Sequence, residues 1–484
     1  MKKIFTASLA LIGAMVFGQY TTPNTGQTYT IDQLDQLTDI ITYDQATNRY
    51  VLSENLTISE SDTFLAETDY VLAIAEGKLI TVAGNIQINA PQEVHFTSTQ
   101  PGSTYFQGLR LEDTSTAQFT KFKMTYGGGI RVLGENFFMD QSEVSYQNSG
   151  ISTGAAINFS AGNPTIQNSR FIENDTPAVA SGANQSVALN YFNNYLVGNN
   201  KSNSNRPQIN MGPSGTGSVT RIIGNTILGN RSLTRVGGVS VSSLLGVNNE
   251  LWIENNLIKD NRYGITASGG NTKGNIINNQ IIDNNTEPIP ANGGSGINIY
   301  LAQNPEDYVI NILGNEIKGN LWGITNIGNG AYIHLGDETN YGNNVFENNG
   351  NEGVTYALYN NSPVEISAKG NCWDPILTDE RVEEVIVHYN DDSTLGLVDY
   401  SDYGCLLNTT EIIPTKIKIY PNPNQGQFVI ESEINDQYQI YDLTGKLMKS
   451  GALIQGKNSV NTSLRKGVYV LKTTSSTYKM IINY

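Results

Sequence analysis

A six-residue pattern, apolar in its third place and closed by asparagine in its sixth, recurs between about residues 165 and 350. Its copies are SRFIEN (169–174), NYLVGN (194–199), NTILGN (225–230), NLIKDN (256–261), NQIIDN (279–284), NEIKGN (315–320) and NNVFEN (343–348), with starts separated by 25, 31, 31, 23, 36 and 28 residues. A period of this size that drifts by insertion specifies stacked coils rather than one globular core. The third places, Phe171, Leu196, Ile227, Ile258, Ile281, Ile317 and Val345, predict an inward aliphatic ladder, because equivalent side chains of stacked strands lie one above another. The sixth places predict an asparagine ladder at a turn, where Asn tolerates left-handed backbone angles and its amide can bond the next rung. Gly150-Ile151, Gly264-Ile265, Gly323-Ile324 and Gly353-Val354 mark turns into the next strand.

No sustained helical period interrupts these units, which excludes helical and leucine-rich solenoids. Charged residues make up 15% of the chain, too few for long charged helices or coiled coils. The formal net charge of −16 argues against nucleic acid as a partner, since phosphate binding needs basic stripes. The repeats resemble the right-handed parallel β-helix of pectate-lyase-like proteins over roughly residues 50–370. That resemblance implies a fold and leaves the chemistry open. LAIAEGKLITVAGNIQI (72–88) and FTKFKMTYGGGIRV (119–132) read as less regular coils of the same stack. About 25 to 30 residues per coil predicts about eleven to thirteen coils and a rod of about 55 to 60 Å. Both ends of such a rod need caps. TIDQLDQLTDII (30–41), with Thr30 as helix N-cap, suits the first end, within a cap over 19–49.

The chain opens with MKKIFTASLALIGAMVFGQ, in which two lysines precede an apolar run too short to span a bilayer. Residues 1–18 therefore read as a cleavable secretory signal. Secretion permits a disulfide between Cys372 and Cys405, the two cysteines of the chain. Closing that 34-residue loop would add about 3.8 kcal/mol in the chain-entropy treatment, less any strain. A zinc site is the weaker reading, with His388 as the one histidine near either thiol. GNCWDP (370–375) and VDYSDYGC (398–405) resemble the Trp-containing closing segment of many β-helix proteins, within a cap and linker over 371–412.

Residues 413–484 carry a net charge of +5, so the remainder carries −21, and a switch of that size marks a domain boundary. Four alternating apolar and polar stretches in this tail, separated by turn signals, spell a small β-sandwich. The fold class is thus all-β, a right-handed parallel β-helix solenoid followed by a C-terminal sandwich. Tyr420-Pro421-Asn422-Pro423, the segment from Tyr441 through Gly445 to Lys446, and Lys466-Gly467-Val468-Tyr469-Val470 resemble the type A C-terminal sorting domain of the type IX secretion system in Bacteroidetes. That resemblance implies docking to the outer-membrane machinery and removal of the tail by a sortase-like peptidase, leaving the β-helix released or on the cell surface.

Signals of chemistry are fewer. The Asn-Thr-Asp, Asp-Asp and Gly-His-Gly elements of polygalacturonases are missing from the repeats; His95, His334 and His388 lack that context, and Asp391-Asp392 lies beyond the last hexad. Walker, HExxH and GxSxG motifs are also absent, so cofactor chemistry has no support. Arg231 and Arg262 each follow a closing Asn, which predicts one column on adjacent rungs. They are the candidates for binding or deprotonating a uronic or sulfated sugar, against the favoured alternative of two solvated turn arginines. Asp260 and Asp283 align in the same way and could hold calcium, although no calcium-repeat motif supports that. Tyr263 and Trp322, at matching places before Gly-Ile pairs, could stack on a sugar or pack over the turn. The reading that emerges is a secreted or surface-displayed monomer that binds carbohydrate or another surface ligand. The alternatives are a lyase of acidic polysaccharides and a purely structural exoprotein.

Overall fold

Strand follows strand in parallel along the first part of the chain, because each coil's apolar side chains find cover only against the coils above and below. The computed structural model describes residues 18–376, 378–405, 418–432, 435–442, 446–473 and 477–483. The amino-terminal segment read as an export signal lies almost wholly outside them. Among the described residues no helix is long and apolar enough to cross a membrane. The chain divides into one unit ending at Cys405 and another beginning at Leu406.

The first unit is a parallel β-helix with three strand columns per coil. One face stacks fourteen short strands, from Gln19–Thr21 through Ile265–Gly269, Ser295–Leu301 and Trp322–Ile327 to Ile386–Val387. Thirteen intervals of about 4.8 Å give a rod of about 62 Å. The hexads form a second column, running from Glu143–Ser145 and Arg170–Ile172 to Glu316–Lys318 and Val345–Glu347, all parallel. A third column includes Thr165–Gln167, Asn249–Glu254 and Thr272–Ile277. Inside, Val144, Phe171, Leu196, Ile227, Ile258, Ile281, Ile317 and Phe346 stack in register and are buried. Each such side chain contributes about 1.5 to 3 kcal/mol through apolar burial.

The bends work differently from the sequence expectation. The left-handed residue is the one before the ladder residue, asparagine or, at 169, serine: Glu173, Asp260 and Asp283 at one corner, and Asn168, Asn193, Asn255 and Asn278 at the other, all with φ between 48° and 58°. Where glycine takes that place the rung before leaves no room; a Cβ on Gly224 would lie 2.4 Å from Asn193 Oδ1, and one on Gly314 2.3 Å from Asn278 Oδ1. The asparagine that comes next turns inward. Its Oδ1 accepts the backbone N–H and the side-chain N–H of the rung before, and its own Nδ2 donates to a backbone carbonyl inside the coil.

Two such ladders exist, and the sequence pattern exposed one of them. The first runs through the opening position of the hexads, from Ser142 and Ser169 through Asn194, Asn225, Asn256, Asn279, Asn315 and Asn344 to Asn371. The second runs through Asn174 and Asn199, then Asn261, Asn284, Asn320 and Asn349. Two places assigned from sequence are corrected. The last hexad is 344–349, so Phe346 and not Val345 enters the core, because Ile317 pairs with Phe346. Asn230 is exposed and caps Ser232, and Gln208 fills its rung, accepting from Asn199 Nδ2 at 3.0 Å and donating to Asn261 Oδ1 at 2.9 Å.

At the first end Thr30 caps a helix, Ile31–Leu37, in a reciprocal box with Gln33, burying Ile31 and Leu34 over the stack. The helix is shorter than the amphipathic stretch because Ile41 begins a strand that pairs antiparallel with Arg49–Leu52. Asp62 fixes the entering chain. Its carboxylate accepts the N–H groups of Asn24, Thr25, Gly26 and Gln27 at 2.8 to 3.1 Å. Burial alone would raise this carboxyl, but hydrogen bonds from Thr22 and these backbone groups outweigh it and hold it below the usual carboxylate range. A depressed carboxyl stabilises the fold above its unfolded pKa and loses that contribution as pH falls through the folded value. Asp62→Ala is therefore expected to melt lower than the parent chain at pH 7, and the gap between the two Tm values should close in strong acid. A gap that stays constant would refute the assignment.

At the other end Trp373 stacks on Phe346, ring centroids 5.0 Å apart, and Cys372 is bonded to Cys405. His388 is buried in this cap, where Nδ1 accepts the Val398 N–H at 3.0 Å and Nε2 faces Glu383. Both thiols are spent in the disulfide, so the zinc reading has no thiolate ligands.

The second unit is a two-sheet antiparallel sandwich. Lys418–Tyr420, Gln427–Ser432 and Gly456–Asn461 form one sheet; Leu447–Leu453, Asp436–Tyr441, Gly467–Thr473 and Thr477–Ile482 form the other. Phe428, Ile430, Tyr438, Ile440, Leu471 and Met480 lie among its buried core residues.

Candidate functional site

The longest interval between hexads, 36 residues from 279 to 315, accommodates a surface excursion with a 3-10 turn at Pro290–Asn292. Two side chains pin it. Arg262 Nε donates to Asn292 O at 2.8 Å and its Nη2 donates to the same carbonyl, while Trp322 Nε1 donates to Pro290 O at 3.1 Å. Held at both places, the excursion walls a groove of about 490 Å³ on the fourteen-strand face. Its floor carries Thr266, Asn298 and Thr325, register partners on three successive strands, with Thr325 Oγ1 donating to Asn298 Oδ1 at 2.8 Å. Trp322 and Tyr359 line the groove with ring centroids 5.4 Å apart, and Tyr356 backs the indole at 4.5 Å.

Three of the six residues singled out from sequence meet here. Arg262, Tyr263 and Trp322 all line the groove. Tyr263 lies over Gly237, whose place no side chain could share, and burial raises its phenol pKa against the opposing pull of Arg262. Arg231 is not among the lining residues. Its Nη1 donates to Asp260 at 2.7 Å and its Nη2 to Asn285 at 2.7 Å, which suits the favoured alternative of a turn arginine better than a bare cationic pair. Asp260 and Asp283 are corner residues engaged with Arg231 and Lys259, and no cluster of three or more His, Cys, Asp or Glu able to hold a metal occurs among the described residues.

Arg110 and Arg131, which the hexad pattern could not reach, occupy adjacent rungs. Glu112 clamps Arg110 at 2.6 and 3.2 Å, and Arg131 donates to Asn158 and Ser160. Burial, with the neighbouring Arg110 charge, lowers the Arg131 pKa from its usual value. Sequence reasoning also missed Tyr359, Asn298 and Thr325; the one available signal was the long interval after 279.

The sorting motif residues of the tail have structural partners of their own. Tyr420 donates to Glu431 at 3.0 Å, Asn422 Oδ1 accepts the Ile481 N–H at 2.8 Å, and Tyr469 donates to the Arg465 carbonyl at 2.9 Å. Pro421 and Pro423 both follow cis peptide bonds. Lys446 N–H donates to Asp442 Oδ1, and Gly467 pairs with Ile482. Gly445 lies outside the described residues. Residues 418–483 match the secretion system C-terminal sorting domain family. The sorting domain indicates export through the type IX system, interaction with its machinery, and secretion with attachment to the cell surface by way of the outer membrane. No curated protein matches the chain.

Proposed function

We propose that the exported β-helix is a carbohydrate-binding surface protein and that the groove walled by residues 290–293 is its binding site. The observation that carries this reading is the convergence of Trp322, Tyr359 and Tyr263 around a floor of hydroxyl and amide groups, with Arg262 at one edge. Aromatic faces cover the apolar faces of sugar rings, while Thr and Asn side chains exchange hydrogen bonds with ring hydroxyls. Among the described residues, Arg262 is the one charged residue lining the groove. With three of its N–H groups committed to Asn292 and Asn205, it serves an anionic substituent as a positioning point better than it serves as a base. Binding without turnover is therefore favoured over lyase activity.

The test is a glycan array with the full chain, followed by calorimetry on the hits. Trp322→Ala is expected to weaken binding by roughly tenfold, the equivalent of about 1.4 kcal/mol. Loss of the indole also frees the excursion from Pro290, so Trp322→Phe, which keeps a ring and loses that hydrogen bond, separates stacking from wall-holding. No glycan binding by a folded, exported chain would sink the reading. Incubation with pectate, alginate or hyaluronan that produced unsaturated ends, absorbing near about 235 nm, and that depended on Arg262, would turn it into the lyase alternative.

A further inference from the structure

The third strand column carries an outward row that runs in register through Asn190, Arg221, Trp252, Asn275 and Asn311. Neighbours in this row stand one rung apart, about 4.8 Å. Four of them are polar and the middle one is an indole. Arg221 is exposed and Trp252 partly so. In the next outward row Ile223, Glu254 and Ile277 are register partners, also partly exposed. Ile223 and Ile277 are therefore diagonal neighbours of Trp252. A single apolar side chain on a surface is ordinary, whereas three adjoining ones beside polar groups mark a place where a ligand can rest.

The N–H groups of the three tryptophans are used differently. Trp373 is buried in the C-terminal cap, where its ring packs on Phe346 and its Nε1 has no partner among the described residues. Trp322 and Trp252 are partly exposed, and each has its N–H committed: Trp322 to Pro290 O at 3.1 Å, Trp252 to Glu254 Oε2 at 2.7 Å. Such a bond fixes the indole plane before a ligand arrives, so that stacking on it costs little ordering entropy. The polar groups around Trp252 keep spare capacity. Glu254 also accepts from Asn255 Nδ2 at 3.3 Å, which leaves lone pairs on both carboxylate oxygens. Arg221 donates Nη1 to Val219 O at 3.3 Å and makes no ion pair among the described residues, so most of its five N–H groups are uncommitted. Farther along the same strands Glu250 and Lys273 neutralise each other at 3.5 Å. One arginine and one carboxylate thus flank the indole with no net charge between them.

We propose that Trp252 is the platform of a second glycan site, for a neutral pyranose chain, on a different wall of the rod from the groove. The apolar face of a sugar ring covers the indole beside Ile223 and Ile277, while Arg221 and Asn275 donate to its hydroxyls and Glu254 accepts from them. Hydroxyls both donate and accept, which matches this balanced set; an acidic sugar would meet the Glu254 charge. The groove has Arg262 as its charged lining residue and so favours the opposite class. Two sites of unlike preference would let one rod bridge a neutral and an acidic polysaccharide.

The test is calorimetry on the full chain with cello-, xylo- and manno-oligosaccharides. One of these neutral chains is expected to bind, Trp252→Ala to weaken that binding roughly tenfold, and Trp322→Ala to leave it unchanged. Arg221→Gln should weaken it several-fold, with little dependence on salt, since no charge is neutralised on binding. Urea unfolding of each variant checks that the rod is intact. Should Trp252→Ala misfold, Trp252→Phe, which keeps a ring and loses the bond to Glu254, replaces it, with a loss of about threefold expected. No binding of any of the three sugars, binding indifferent to Trp252, or binding lost in Trp322→Ala instead would overturn the proposal. The last result would place the neutral sugar in the groove, and the first two would leave the groove reading untouched.

Discussion

Replacing Asn256 by alanine is expected to destabilise the β-helix by about 4 to 5 kcal/mol, more than any change on its outer surface. Asn256 is buried and serves two rungs. Its Oδ1 accepts Asn225 N–H at 2.8 Å and Asn225 Nδ2 at 2.9 Å, and its Nδ2 donates to Ile222 O at 2.8 Å and to Asn279 Oδ1 at 2.9 Å. Alanine leaves those groups without partners in a site closed to bulk water, and each unsatisfied group costs about 1 to 3 kcal/mol. Leucine, which matches Asn in branching and heavy-atom count, should do no better, because the loss is polar and not a void. Lys259→Ala, outward on the same coil, should cost less than about 0.5 kcal/mol. Stability in stacked coils is close to a sum of nearest-neighbour terms, so urea unfolding of the variant should also lose cooperativity at that coil. An Asn256→Leu chain as stable as the parent would refute the ladder account.

Removing the disulfide, by Cys372→Ser with Cys405→Ser, is expected to cost about 3 to 4 kcal/mol, most of it at the C-terminal cap. The bond closes a loop that carries the capping helix Asp379–Glu384 and the Arg381–Asp374 ion pair at 2.8 Å. Without it, the cap rests on Trp373 stacking and on Val382, Val385 and Ile386 packing, and it should open first. Limited proteolysis of the oxidised and reduced chain measures this: early cleavage between about 376 and 405 is expected in the reduced form. Equal protection of the two forms, with both thiols shown to be free after reduction, would rule it out.

How far the sequence carries can be judged residue by residue. Leu196, Ile227, Ile258, Ile281 and Ile317 were legible as core because one buried residue per coil repeats with the strand. The slip at Val345 arose because 343 and 344 are both Asn, and so are 348 and 349; pairing of Ile317 with Phe346 removes the ambiguity. Gln208 was not legible, since it stands 22 residues before Asn230 and belongs to no hexad. Its longer side chain reaches the ladder from the entry to another strand. At the groove, Arg262 carried a signal through its place after a closing Asn, and Tyr263 and Trp322 through theirs before Gly-Ile turns, whereas Tyr359 and Asn298 carried none.

Repetition is a local property, and the chain alone therefore determined that it would coil in parallel, bury aliphatic rows, line its corners with asparagine and end in a sorting domain. Which rung each asparagine joins, which arginines stand side by side, and whether an aromatic residue meets a groove or a turn depend on insertions of unequal length between repeats. Each insertion shifts the phase of every later coil, and that phase is settled when the coils pack and each buried amide must find a partner.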